Sequence, residues 1–273
     1  MHKINPQHYL FKADHSISKL PTAAKELTQM SAKDCLETTV KFGEQLNKLQ
    51  NLLHAAKTHG LLIVLQGMDT AGKDGVIRHV FQHISPLGVR AEAFGAPSEE
   101  EKKHDFLWRI HHKAPSRGEM VIFNRSHYED VLVTRVRHWI DDASCKSRFA
   151  QIRHFEELLH AENIQIVKFF LHISKEEQRL RLQARLDDPH KRWKLQASDF
   201  EDRKLWPEFM EAYQDAIEHT STDHCPWFII PSDSKPHRDL IIAQILVDIL
   251  ENLKLEPPKG QINFEKIHLD YVS

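Results

Sequence analysis

Cysteine is scarce in this chain. The three residues, Cys35, Cys145 and Cys225, are odd in number and not in metal-ligand spacing. That argues against a disulfide framework and for a reducing compartment. Long apolar runs are also missing: nothing approaches the roughly 18 residues that a membrane span requires. The opening stretch, MHKINPQHYLFKADHS, holds no apolar core of signal-peptide length. An excess of one charge is absent too, with 37 basic against 39 acidic side chains. No global field therefore draws the chain to nucleic acid or a membrane, and a polyanion site has to come from local clustering. The expectation is a cytoplasmic protein with neither nucleic acid nor membrane as partner. Twenty histidines are many, but they are scattered without an HExxH or comparable pair. They read as surface or hydrogen-bonded structural residues, not a metal site.

What is present is alternation. Its 273 residues suit one large α/β domain, alone or with helical extensions. Residues 1–58 read as an irregular arm followed by a helix. Ser31 is placed to cap that helix, Leu36, Val40, Leu46, Leu49 and Leu53 line one side, and Gly60 offers a left-handed cap. Short apolar runs follow at 61–67, 89–94, 120–124, 164–173 and 227–231, each read as a buried parallel strand. Between them lie helical patterns, two opened by capping boxes, Ser98 with Glu101 and Ser174 with Glu177. The segment DLIIAQILVDILENL is apolar on most faces and is expected to pack against the sheet. The result is an α/β parallel sheet of about five strands with helices on both faces. It occupies residues 59–255, and Pro257-Pro258 opens a tail over 256–273.

Three stretches carry chemistry. The first, GMDTAGKDG at 67–75, nearly matches the phosphate-loop pattern through Gly67, Gly72 and Lys73, between a strand and a helix. Backbone amides of Ala71, Gly72, Lys73, Asp74 and Gly75 would face a phosphate chain. Where the pattern calls for Ser or Thr stands Asp74, which suits the positive end of a helix as a structural residue. Asp69 inside the loop would repel phosphate unless it holds magnesium. The second stretch is MVIFNRSHYED. Asn124 occupies the place of the usual acid, Glu129 and Asp130 offer acidity to metal or nucleotide, and Arg125 falls at the carboxyl edge of the sheet. Arg135 follows on the next helix. The third, RLRLQARLDDPHKRWK, sets six basic side chains (Arg179, Arg181, Arg185, Lys191, Arg192, Lys194) against Asp187 and Asp188. Arg181 and Arg185 share a helix face. Such a segment, 175–204, reads as a helical lid able to close over a phosphate site and exclude water.

Together GMDTAGKDG, FNRSHYEDVLVTRV at 123–136 and RLQARLDDPHKRWKLQASDFEDR at 181–203 resemble the polyphosphate kinase 2 family. The resemblance spans roughly 30–255. It implies a P-loop-kinase-like fold and phosphoryl transfer between inorganic polyphosphate and AMP, ADP or ATP, with guanine nucleotides as a further partner class and a homo-oligomeric assembly. In that light Asp69 is similar to the family's magnesium-binding loop acid, with Asp130 as a second metal residue and Mn2+ as an alternative to Mg2+. Lys73 corresponds to the phosphate-bridging lysine, Arg125 to the arginine after the second strand, and Arg181 and Arg185 to the lid arginines. Lys191, Arg192 and Lys194 would bind phosphate, and Asn124, Arg125, Glu129, Asp130 and Arg135 the nucleotide. Much of the family has Asp at the position of Asn124. The form with Asn and Glu-Asp resembles the subgroup that accepts mono- as well as diphosphates. Two other readings stay open: an ATP-dependent nucleotide kinase on the same scaffold, and a non-catalytic polyphosphate or nucleotide sensor.

Overall fold

The computed structural model describes residues 4–24 and 29–258, so the tail beyond 258 lies outside the described residues. Five strands, β1 (Gly60–Gln66), β2 (Val89–Ala93), β3 (Met120–Asn124), β4 (Ile164–His172) and β5 (Trp227–Pro231), form one all-parallel sheet in the order β2-β3-β1-β4-β5. β1, β4 and β5 are apolar and buried almost throughout, as expected for strands covered by helices on both faces. β2 departs from the expectation of a buried strand. It is an edge strand with half-exposed residues, and its Arg90, Glu92 and Lys113 nearby form ion pairs along the rim. The opposite edge is closed by the arm: Phe11 N–H donates to Trp227 and Ile229 N–H to Tyr9, beside an antiparallel bridge from Leu10 to Phe228. Pairing of this kind removes an open edge that would otherwise template association.

Helices α1 (Ala32–Ala56), α2 (Lys73–Val80), α3 (Trp108–His111), α4 (Val133–Val136), α5 (Asp142–Ala161), α6 (Lys175–Asp187), α7 (Ala197–Lys204), α8 (Trp206–Thr220) and α9 (Lys235–Asn252) cover the sheet. Ser31 caps α1 by accepting from Asp34 N–H. The inward face of its first half, however, is Cys35, Thr39, Phe42 and Gly43, while Leu36 and Val40 face outward, Leu36 52% exposed. α9 packs chiefly on α1, and also on α2 and β5, so its apolar surface is shared among helices as well as the sheet. The two capping boxes also differ from expectation. Ser98 and Glu101 exchange both bonds but close only a short 3-10 turn. At Ser174 only half the box forms, because Asp233 accepts the Ser174 N–H and Glu177 is engaged by Arg181. None of the described helices is long and apolar enough to cross a membrane.

The left-handed residue ending α1 is Lys57, at φ 52°, and not Gly60, which already begins β1. A side chain in that conformation costs roughly 1–2 kcal/mol, and glycine gives back part of the gain through unfolded-chain entropy. Lys57→Gly is therefore expected to stabilise the protein by about 0.5–1 kcal/mol, read as a higher urea midpoint at unchanged m-value.

One consequence of the topology fixes the site. β1 and β3 are neighbours with Leu65 opposite Asn124. The loop after β1 and the turn after β3 therefore emerge side by side at the carboxyl edge of the sheet, where ligands of open α/β sheets bind.

Candidate active site

The loop leaves β1 at Gly67 (φ 148°), passes Thr70 (φ 65°) and reaches Gly72 (φ 108°), where α2 begins. Thr70 is β-branched and still sits in the left-handed region, an outlier held by its surroundings. Amides of Lys73, Asp74 and Gly75 open α2 without intrahelical acceptors, so this end of the helix is built to meet an anion. Four of the loop carbonyls meet cationic groups, and a fifth, Asp69 O, accepts from the Gln178 amide. Lys73 Nζ donates to Gly67 O at 2.7 Å and to Met68 O at 3.4 Å, and Arg181 donates to Thr70 O at 2.9 Å and Ala71 O at 3.1 Å. Lys73 is buried, and burial first, then the neighbouring Arg125, push its pKa below the ordinary lysine value. Asp69, Glu129 and Asp74 oppose them.

Arg125 stands at the end of β3 with its own left-handed backbone, φ 63°, pinned by its N–H to Leu65 O. Its guanidinium pairs with Asp69 at 2.6 Å and with Glu129 at 3.8 Å. Burial works against that charge, but Glu129 and Asp69 outweigh it and hold the guanidinium protonated. Burial raises the Glu129 pKa, with Arg125 and Lys73 opposing. Asp199 of α7 is close enough to feel the Asp69 charge. Its pKa is raised by burial first and then by the Asp69 charge. Phosphate loop, Arg125 and the start of α7 therefore bring their charges together beside one sheet edge.

Asp74, the residue in place of the usual hydroxyl, accepts a 2.7 Å hydrogen bond from Asn124 Nδ2. The two departures from the standard pattern are thus partners, Asp74 from the first turn of α2 and Asn124 from the end of β3. In Asn124→Asp two carboxylates would meet where amide and carboxylate now bond. Because Asp74 is exposed, screening limits the cost to about 1 kcal/mol at neutral pH. The expected signature in thermal melts is a loss of a few degrees that is recovered by added Mg2+ or by acidification.

Other residues singled out in the sequence are placed differently. Arg181 is buried, and beyond the loop carbonyls it holds Ser232 O, Asp233 O and Glu177, so from within α6 it binds the chain itself. Arg185 reaches Lys194 O at 3.5 Å and Asp199 at 3.9 Å. Lys191 pairs with Asp188, Arg192 donates to Leu186 O, and the Lys194 ammonium lies 5.2 Å over the Trp193 ring. Arg135 is fastened to Asp215, Asp142 and Glu211, away from the loop. Asp130 shares no partner with Asp69; it faces Arg109 and Arg148. Among the described residues no three metal-ligating side chains converge.

Sequence reading missed several members of the site. Arg109 is buried against Gly95 O, Phe94 and Asp130. Tyr213 of α8 is buried near Glu129, Arg125 and Asp69, and burial, then the Glu129 charge, pushes its hydroxyl pKa well up. Arg238 contacts Ala71 O and packs under Gly72 and Gly75. Only the last carried a signal: Arg238-Asp239 is a charged pair directly ahead of the apolar LIIA of α9.

The model of the family described as polyphosphate kinase 2 matches residues 29–258. The chain is 49% identical over 235 residues to an AMP/ADP-polyphosphate phosphotransferase of Meiothermus ruber, covering 86% of this chain and 88% of that one. It is 43% identical to an ADP-polyphosphate phosphotransferase of Rhodopseudomonas palustris, covering 79% of each. A crystal structure of polyphosphate kinase 2 from Arthrobacter aurescens TC1 superposes with a TM-score of 0.94 at 38% identity, covering 97% of this chain and 96% of that one. A sheet edge with Lys73 in a phosphate loop beside Arg125, on this strand order and with this degree of likeness, places the chain in the polyphosphate kinase 2 family of enzymes.

Proposed function

We propose that the chain transfers phosphoryl groups from inorganic polyphosphate to nucleotides, taking AMP to ADP as well as ADP to ATP, with magnesium. The observation that carries this reading is the adjacency of the phosphate loop and Arg125 on neighbouring strands β1 and β3. A polyphosphate chain on the loop and a nucleotide phosphate beyond Arg125 would then meet end to end. The acceptor's terminal phosphate oxygen attacks the terminal phosphorus of polyphosphate, and the bridging P–O bond breaks. That oxygen is already anionic, so no strong general base is needed. Catalysis rests on alignment and on charge neutralisation by Lys73 and Arg125. The relatives' names include both AMP/ADP and ADP acceptors, which favours a broad acceptor range.

A hard divalent cation fits this site. Burial and then the Asp69 charge raise the pKa of the Asp199 carboxyl, and a cation would relieve this pairing of like charges. Magnesium commonly takes one or two carboxylates and completes its shell with water and phosphate. Asp69 would hold it, with Asp199 alongside in preference to Asp130. When bound, the ion supplies further neutralisation to phosphate oxygens. The segment from α6 to α7 serves as a lid in this reading, rooted at Arg181 and carrying Arg185 and Lys191, which would leave their present partners to meet phosphate.

Phosphorus NMR of the purified protein with Mg2+ and long-chain polyphosphate tests this, with AMP and ADP in separate tubes and no ATP added. ATP from ADP and ADP from AMP is the expected result. Reaction with ADP alone would remove the monophosphate reading. No reaction with either, alongside turnover of ATP plus AMP, would make the protein an ordinary nucleotide kinase.

A further inference from the structure

We infer that Arg238 is a positioning residue for the polyphosphate donor, bracketing the phosphate loop from behind together with Arg181. The inference rests on the loop being the donor site. A phosphate cradle turns its amides inward, so its carbonyls must turn outward into the protein, and a buried carbonyl without a donor is costly. Two guanidiniums from distant elements meet that need here. Arg181, on α6, bonds Thr70 O and Ala71 O, and Arg238, on α9, bonds Ala71 O at 3.1 Å.

Arg238 is fully buried and cannot turn away. Asp239 grips it through Nε at 2.8 Å and Nη2 at 2.6 Å, and the other Asp239 oxygen lies 2.9 Å from His79 Nδ1 on α2. The loop is thereby tied to its own helix by a closed circuit running Ala71, Arg238, Asp239, His79. Space for the guanidinium exists because Gly72 and Gly75 have no side chains. A Cβ at Gly72 would fall 1.9 Å from Arg238 Nη1, and one at Gly75 3.1 Å from Nη2. The two glycines thus serve a tertiary purpose, admitting the arginine beneath the amides of the helix start. Arg238 itself is buried, and its guanidinium is spent on Ala71 O and Asp239. Its effect is to hold the peptide plane between Ala71 and Gly72 so that the Gly72 N–H is presented to phosphate, while the Ala71 N–H closes on Met68 O within the loop. The nucleotide side of the site, built from β3 and the turn after it, makes no contact with Arg238.

The signature is therefore a split between substrates. In Arg238→Lys, which keeps the charge and loses the fork, Kd and KM for a polyphosphate of fixed chain length are expected to rise about tenfold, the weight of one charge-assisted hydrogen bond. The Kd for AMP, measured by titration calorimetry on the same preparation, is expected to stay within about twofold. Asp239→Asn, which loosens the grip without removing the guanidinium, should shift the polyphosphate values in the same direction by a smaller factor, so the test survives if one variant folds poorly. Equal losses for both substrates, or an unchanged polyphosphate Kd in a folded variant, would overturn the inference while leaving an active wild type and the proposed reaction intact. A wild type that neither binds nor consumes polyphosphate would remove the proposed function, and this inference with it.

Discussion

Lys73→Met is expected to lower turnover about a thousandfold or more while the protein stays folded. The ammonium now rests on Gly67 O and Met68 O, inside the loop that would receive phosphate. A transferring phosphoryl group spreads negative charge over its oxygens, and a buried cation has its strongest effect there because little water screens it. The stability consequence has the opposite character. Lys73's pKa is lowered, mainly by burial, so the folded chain holds this proton less tightly than the unfolded one. The cost of the buried charge is present below the folded pKa and fades as pH rises toward the ordinary lysine value. Methionine keeps the stem and removes that cost at neutral pH, though Gly67 O loses a donor. The two effects oppose, and the melting temperature should move by no more than about 4 °C, the equivalent of roughly 1 kcal/mol in a domain of this size. Phosphorus NMR and a thermal melt on the same sample decide it. Near-normal turnover from a folded Lys73→Met would remove Lys73 from the chemistry.

Local chemistry was legible in the sequence and long-range pairing was not. The phosphate loop declares itself because its strand, glycines, lysine and helix lie within a few consecutive residues, and each strand was visible as a short apolar run. Even the meeting of Asn124 with Asp74 depends on β3 lying next to β1, which no local pattern specifies. Arg238 reaches Ala71 across 167 residues of chain. Arg181 looked like a free lid cation because a basic helix face reads the same whether it meets water, phosphate or carbonyls. Its burial comes from where α6 leaves β4, beside the loop after β1. Asp130 was grouped with Asp69 by chemistry alone, whereas the 3-10 turn after Arg125 aims it at Arg109 and Arg148. The end of α1 shows the reverse case: glycine is the usual left-handed cap, yet Lys57 takes that conformation because its N–H still closes on Leu53 O.

The largest loss of stability is expected from Lys168→Met, about 3–5 kcal/mol, with most of it recovered in Lys168→Met/Glu156→Leu. Lys168 is fully buried on β4. Its ammonium lies 2.5 Å from Glu156, 3.0 Å from the Tyr128 hydroxyl and 2.8 Å from Thr220 O. Glu156 also lies 2.8 Å from the Tyr128 hydroxyl and 3.3 Å from His127 Nε2. Taking away the lysine alone leaves a buried carboxylate without its countercharge, whereas replacing both partners removes the desolvation cost along with the attraction. The double variant leaves the Tyr128 hydroxyl its 3.0 Å contact with Thr220 Oγ1. Burial pushes the Glu156 carboxyl up, but Lys168 and then His127 more than reverse it, so its folded pKa lies below the ordinary glutamate value. A depressed acid contributes stability that is whole above the unfolded pKa and is lost as pH falls through the folded one. Urea unfolding from neutral pH down to about pH 3 should therefore show a steeper acid decline in the wild type than in the double variant. Function follows from the same contacts. His127 and Tyr128 begin the turn that carries Glu129 and Asp130, directly after the left-handed Arg125. The single variant should then lose more turnover than its unfolded fraction explains, and the double variant should regain it in step with stability. A double variant no more stable than Lys168→Met would mean that the network is held by something other than the balance of two buried charges.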